Sequence, residues 1–222
     1  MHQFLTYGVW GLRSKAIVAL LALASPLAAE EPITILALGD SLIQGYGLPQ
    51  EEGFVPQMQA WLDEKGHTVT LVNGGVSGDT TAGGLSRVEW SLTPDVDAMI
   101  VALGGNDVLR GIAPEVARAN LDGILAVARD HEIEVLLVPM QAPGNYGPDY
   151  KADFDAIYPD LAADYGAIPA PSFFDILLEE GQNPASASDL MQGDGIHPNA
   201  RGVARIVDGI GPYVEQLIDQ AG

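Results

Sequence analysis

Ser41, Asp194 and His197 are the side chains whose types could perform nucleophilic acyl chemistry. A serine hydroxyl is a weak nucleophile alone. It needs an imidazole to take its proton, a carboxylate to orient that imidazole, and N–H donors for the charge that develops on an attacked carbonyl oxygen. Ser41 follows an apolar run and Gly39, where a tight strand-to-helix turn would expose its hydroxyl; the same position suits a helix N-cap. The surroundings are not the G-x-S-x-G elbow of α/β-hydrolases. His67 follows Gly66 at a helix-to-strand turn and His131 ends a charged helix, both ordinary surface positions. His197 stands three residues after Asp194 in a glycine-rich loop closed by Pro198. The pair could share a pocket, or merely end a turn and precede the last helix.

Two further loops offer donors. Asn106, between Gly105 and Asp107, is either a left-handed turn residue or a side-chain N–H donor. Gly78 either serves a turn or presents its backbone N–H where a Cβ would obstruct a substrate. The stretch Gly104–Gly111 also looks like one turn of a calcium-binding β-roll, but that architecture needs stacked copies and only one is present. Zinc chemistry lacks a ligand set: there is no cysteine and no H-E-x-x-H, so no metal or organic cofactor is expected.

These loops need a scaffold that brings them together. Apolar, β-prone runs recur at Ile33–Leu38, Thr68–Val72, Ala98–Leu103, Val135–Pro139 and, more weakly, Ile168–Pro171. Helical patterns alternate with them. Phe54, Met58 and Trp61/Leu62 repeat before a stop at Gly66; Pro114 opens a stretch in which Val116, Leu121, Ile124, Leu125 and Ala128 share a face; Lys151–Tyr165 and Pro198–Ile218 complete the set. Strands that are apolar throughout, separated by helices, predict a parallel sheet covered on both faces. In such sheets ligands bind beyond the carboxyl ends of the strands, which is where each of the polar loops falls.

The 222 residues carry a formal charge of −20, with 47% apolar and 18% charged residues. That composition predicts a folded chain, and its acidity disfavours nucleic acid and anionic membrane surfaces. Arg13 and Lys15 precede an apolar run from Ala16 to Ala29 that ends in small residues, the pattern of a cleaved signal peptide. The run is shorter than the roughly 20 residues a membrane span requires. Residues 1–29 are therefore expected to be removed, leaving residues 30–222 as one periplasmic or secreted domain, monomeric and without stable membrane insertion.

The run Leu38-Gly39-Asp40-Ser41-Leu42 with Gly45-Tyr46-Gly47 resembles block I of the GDSL, or SGNH, hydrolases. Val72-Asn73 with Ser77-Gly78-Asp79-Thr80, Gly104-Gly105-Asn106-Asp107 with Leu109-Arg110-Gly111, and Asp194-Gly195-Ile196-His197-Pro198-Asn199 are similar to the remaining blocks, in the family's order. Asn145-Tyr146-Gly147 and Ala156-Ile157-Tyr158-Pro159 extend the likeness toward bacterial thioesterase I/lysophospholipases and arylesterases. The resemblance implies a flavodoxin-like three-layer α/β/α sandwich with a central five-stranded parallel sheet. It implies Ser41 as nucleophile, His197 as base, Asp194 as its partner, and an oxyanion hole of Ser41, Gly78 and Asn106. Asp40, Gly105, Asn145, Tyr146 and Ile196 would surround a small acyl ester or lipid substrate. The family's mobile loop corresponds to Gln141–Tyr146, but here it has an extra glycine and no arginine nearby, so acyl-length preference does not transfer. The activity implied is hydrolysis of esters, and of thioesters, with short to medium acyl chains. The alternatives are a carbohydrate deacetylase of the same superfamily and a non-catalytic binding module.

Overall fold

The apolar runs become strands close to their expected limits: β1 (Ile33–Gly39), β2 (Val69–Gly75), β3 (Ala98–Ala102), β4 (Glu134–Leu137) and the short β5 (Ile168–Pro169). They form one parallel sheet in the order β2-β1-β3-β4-β5. The computed structural model describes residue 2 and residues 32–178 and 184–222; the apolar run and its expected cleavage site lie outside the described residues.

Helices α1 (Ser41–Gln44), α2 (Phe54–Lys65), α3 (Thr81–Ser91), α4 (Gly105–Leu109), α5 (Pro114–Asp130), α6 (Pro148–Asp155), α7 (Ile157–Tyr165), α8 (Phe173–Leu177) and α9 (Ala200–Ala221) connect and cover the strands. Successive strand side chains point to opposite faces. Ile35 and Ala37 of β1 therefore join Phe54 and Met58 of α2 and Ile206 and Ile210 of α9 in one core. Leu36 and Leu38 join Val88 of α3, Leu121 and Ile124 of α5, and Leu161 of α7 in the other. Two apolar layers around one sheet give the three-layer α/β/α sandwich.

Local chemistry corrects several expectations. The stretch expected as one helix over Lys151–Tyr165 is two, α6 and α7, because Pro159 has no N–H for the Asp155 carbonyl and its ring crowds that carbonyl. Val116 is exposed and Ala117 is buried in its place, since Ala117, Leu121, Ile124 and Ala128 follow one helical stripe and Val116 lies a step around it. Gly104–Gly111 forms no β-roll turn; its centre is α4. Gly66 ends α2 in the left-handed conformation as expected. Asn199 caps α9, its side chain accepting from the N–H groups of Arg201 and Gly202.

One buried polar link ties the upper ends of the helices together. Asp107 of α4 is fully buried and accepts from the backbone N–H of Thr81 at 2.9 Å and from the Thr81 hydroxyl at 2.6 Å. Thr81 in turn accepts from Asn120 of α5 at 3.0 Å. Replacing Thr81 by valine keeps the shape but leaves buried partners short of a bond. We expect Thr81→Val to cost about 1–3 kcal/mol, read as a lower urea midpoint at unchanged m-value. A wild-type midpoint would show that this link contributes nothing to stability.

Candidate active site

β1 ends at Gly39, where an added Cβ would come within 2.9 Å of the Ala102 carbonyl, and the chain bends at Asp40. Asp40 then caps α1 by accepting from the Leu42 N–H at 3.0 Å. Ser41 is thus the first helical residue and not the cap. Its hydroxyl meets His197 Nε2 at 2.9 Å.

His197 arrives from the other end of the chain on a short closed loop. Met191 and Pro198 form an antiparallel bridge, Gln192 N–H donates to the His197 carbonyl at 2.7 Å, and Asn199 N–H donates to the Leu190 carbonyl at 2.8 Å. At the tip, Asp194 Oδ1 accepts from the N–H groups of Ile196 at 2.9 Å and His197 at 3.0 Å. Asp194 Oδ2 lies 2.6 Å from His197 Nδ1. An ionised carboxylate only accepts, so it assigns the proton to Nδ1 and leaves the Nε2 lone pair facing the Ser41 hydroxyl. The imidazole bond, then the two backbone N–H bonds, hold the Asp194 carboxyl well below the usual carboxylate range. Asp194 thus both makes the turn and holds the ring.

Asp40 has the opposite environment. It is buried, and desolvation pushes its carboxyl up to about 6 against the bonds it accepts from Leu42 N–H and from the Asn106 amide at 3.2 Å. Asn106 lies within α4, and the left-handed residue is Gly104, two positions earlier, at φ 118°. Gly78 is left-handed at φ 81°, with the nearest atom to an added Cβ at 3.7 Å. The left-handed backbone itself calls for glycine there, while the atoms of the chain leave room for a Cβ.

Ser41, His197, Gly78 and Asn106 line one groove of about 640 Å³, together with Asp40, Gly105 and Ile196. Its walls are mainly apolar: Leu42, Val108, Met140, Phe174, Leu177 and Met191 among them. From the loop expected at the substrate, Gln141, Ala142 and Pro143 reach the groove, whereas Asn145 and Tyr146 do not line it. Gly144–Tyr146 is a 3₁₀ turn, and the Tyr146 ring packs on Tyr150 at 4.9 Å. His67 and His131 lie away from this groove, paired with Glu215 and Glu89 at the surface.

Sequence reasoning gave no role to three neighbours of the site. The Tyr46 ring packs against the His197 ring, with centroids 4.7 Å apart. Gln192 Nε2 donates to the carbonyls of Tyr46 at 2.8 Å and Pro198 at 3.0 Å, joining the turn after α1 to the histidine loop. Arg87, nearly buried, donates to Asp79 at 2.7 Å and to the Gly39 carbonyl at 2.9 Å. Tyr46 stood within the Gly45-Tyr46-Gly47 part of the block I resemblance; the other two carry no sequence signal. Among the described residues, no three His, Cys, Asp or Glu side chains group as a metal-ligand set.

Comparison with known proteins gives the family. The model of the GDSL-like Lipase/Acylhydrolase family matches residues 37–205. Esterase TesA of Pseudomonas aeruginosa is 35% identical over 202 residues, covering 90% of this chain and 96% of that protein. Thioesterase 1/protease 1/lysophospholipase L1 of Escherichia coli is also 35% identical, over 188 residues, 84% of this chain and 85% of that one. The crystal structure of AlinE4, an SGNH-hydrolase family esterase, is 41% identical and superposes with a TM-score of 0.69, covering 85% of this chain and 98% of that chain. On the strength of a match across most of its length and relatives above 30% identity, the chain belongs to the GDSL-like lipase/acylhydrolase, or SGNH hydrolase, family.

Proposed function

We propose that the protein is a serine esterase that cleaves carboxylic esters, and thioesters, of short to medium acyl chains through an acyl-enzyme. The observation that carries this is the continuous chain from Ser41 Oγ to His197 Nε2 at 2.9 Å and from His197 Nδ1 to Asp194 at 2.6 Å, opening on an apolar groove. Ser41 Oγ attacks the carbonyl carbon while His197 Nε2 takes its proton. The imidazolium then gives that proton to the departing alkoxide or thiolate. Water, deprotonated by the same imidazole, attacks the acyl-enzyme; the bond to Ser41 Oγ breaks, the imidazolium returns its proton to that oxygen, and the carboxylic acid is released. Asp194 stays ionised throughout, holding the ring and stabilising the imidazolium.

Charge building on the carbonyl oxygen is met by the backbone N–H of Ser41, the backbone N–H of Gly78 and the amide of Asn106. The groove size falls within the range of small-ligand sites, and its apolar walls suit an acyl chain better than a hydroxyl-covered sugar. That lining argues against carbohydrate deacetylation, and the assembled triad argues against a binding-only module. The charge of −20 repels polyanionic CoA esters. Neutral esters and lysophospholipids are the favoured substrates. Export as the mature domain, residues 30–222, would place the enzyme in the periplasm or the medium, apart from CoA pools.

Ser41→Ala is expected to fold normally and to lose hydrolysis of p-nitrophenyl butyrate together with labelling by a fluorophosphonate probe; turnover at the wild-type rate in the purified variant would end this assignment. Asn106→Ala is expected to lower kcat by about 10²–10³, the range for one oxyanion donor. A change confined to KM would instead assign Asn106 to pocket shape.

Asp40 yields a third expectation, from linkage. Its folded-state value of about 6 lies above the ordinary 3.8, so the native state holds this proton more tightly. The stability Asp40 contributes is complete below the ordinary value and is lost as pH rises through the folded one. Asn at this position has no proton to lose. Relative to wild type, Asp40→Asn should therefore gain stability between about pH 4 and about pH 7, measured by urea unfolding at both. A difference that stays constant or shrinks over that interval would contradict the buried-carboxylate account.

A further inference from the structure

We propose that the three oxyanion donors are registered by a closed ring of side-chain ties, one across each pair of the loops that carry them, and that Arg110 is the positioning residue of that ring for Gly78. The proposal rests on the oxyanion hole described above. The donors come from three separate loops: Ser41 after β1, Gly78 after β2 and Asn106 after β3. The sheet brings these loops close but does not aim their N–H groups.

Each pair of loops is tied. Between the first and second, the Arg87 guanidinium donates both to Asp79, the neighbour of Gly78, and to the Gly39 carbonyl, two residues before Ser41. Between the second and third, Arg110, at the end of α4, donates to the Gly78 carbonyl at 2.8 Å. Between the third and first, the Asn106 amide donates to Asp40, the residue before Ser41. The buried Thr81–Asp107 bonds add a second tie between the second and third loops, below the first.

Gly78 is where a tie matters most. It sits at positive φ with no Cβ, so its own sterics restrict it least. An oxyanion donor contributes through preorganisation: one that must be reoriented as charge develops loses much of its effect. A guanidinium on the Gly78 carbonyl restrains the Gly78–Asp79 peptide, which meets the donor-bearing Ser77–Gly78 peptide at the Gly78 Cα, and so limits rotation about that joint and couples the loop to α4, which carries Asn106. Arg110 is exposed, so its bond contributes little to folding, and activity and stability separate on its removal. Arg87 and Asp40 are buried and would not permit that separation.

The test compares the full-length wild-type protein with Arg110→Ala, Arg110→Lys, Asn106→Ala and the Arg110→Ala/Asn106→Ala double variant. kcat and KM are measured on p-nitrophenyl butyrate, a neutral substrate, and thermal midpoints are recorded. Misaiming one donor should lower kcat about tenfold in Arg110→Ala, below the loss for deleting a donor outright, with KM and midpoint unchanged. Arg110→Lys, which can still donate to the carbonyl, should recover most of the rate. The double variant should lose less than the product of the two single losses, because both act on one hole. An unchanged kcat in Arg110→Ala beside a large loss in Asn106→Ala would overturn the ring and leave the hole standing. A loss confined to KM, or one that follows a fall in midpoint, would equally overturn it. If Asn106→Ala also keeps the wild-type kcat, the oxyanion hole itself is wrong.

Discussion

Everything at this site depends on β1 lying between β2 and β3 in a sheet whose strands all run the same way. From β1 the chain steps outward to β2 and then crosses back past β1 to β3. Three consecutive strand ends therefore stand side by side, and the loops bearing Ser41, Gly78 and Asn106 emerge at one edge. This is the switch point at which open parallel sheets bind ligands. The fourth participant, the Asp194–His197 loop, is drawn in by α9, whose stripe of Val203, Ile206, Val207 and Ile210 is buried against the first core. Packing on one face of the sheet thus holds the imidazole in register with a hydroxyl 156 residues earlier.

The two carboxylates of the site show how one side chain serves two ends. Asp194 is partly exposed and surrounded by donors, so it remains charged, which suits the imidazolium that the proposed mechanism forms beside it. Asp40 is buried beside Ser41, where its charge is disfavoured. It is tolerated because it does two positional tasks: capping α1 so that the Ser41 hydroxyl is left to His197, and holding the Asn106 amide. Were Ser41 itself the cap, its oxygen would be occupied by a backbone N–H and turned from the imidazole. The cap immediately before the serine resolves that competition.

The sequence made the sheet and the chemical residues legible for different reasons. Strands such as Ile33–Gly39 and Ala98–Ala102 are buried on both faces and so read as unbroken apolar runs. Asp194 and His197 stood out because polar side chains in a glycine-rich loop have little packing to do. Helix α3 was not legible: Gly83-Gly84 lowers its propensity, and the reason for Gly84, a Cβ that would come 2.3 Å from Leu103, exists only in three dimensions. The ties were hidden for the same reason. Arg87 and Arg110 sit on or at the end of helices, where arginine ordinarily reads as a solvated face, and only the fold reveals that each reaches a carbonyl on another loop.

That concealment has a physical basis which bears on how such a site is built. A nucleophile, a base and an oxyanion donor each demand particular atoms, so their residue types are restricted and spacing exposes them. A tie demands only a donor long enough to reach a carbonyl, and arginine, glutamine or lysine on any adjacent element would serve. The groove walls are freer still, since Leu42, Val108, Met140 and Phe174 need only be apolar and of suitable volume. Information about the reaction is therefore concentrated in a few loop positions, information about aim is spread over helix ends, and information about substrate length lies in side chains that sequence alone cannot tell from core.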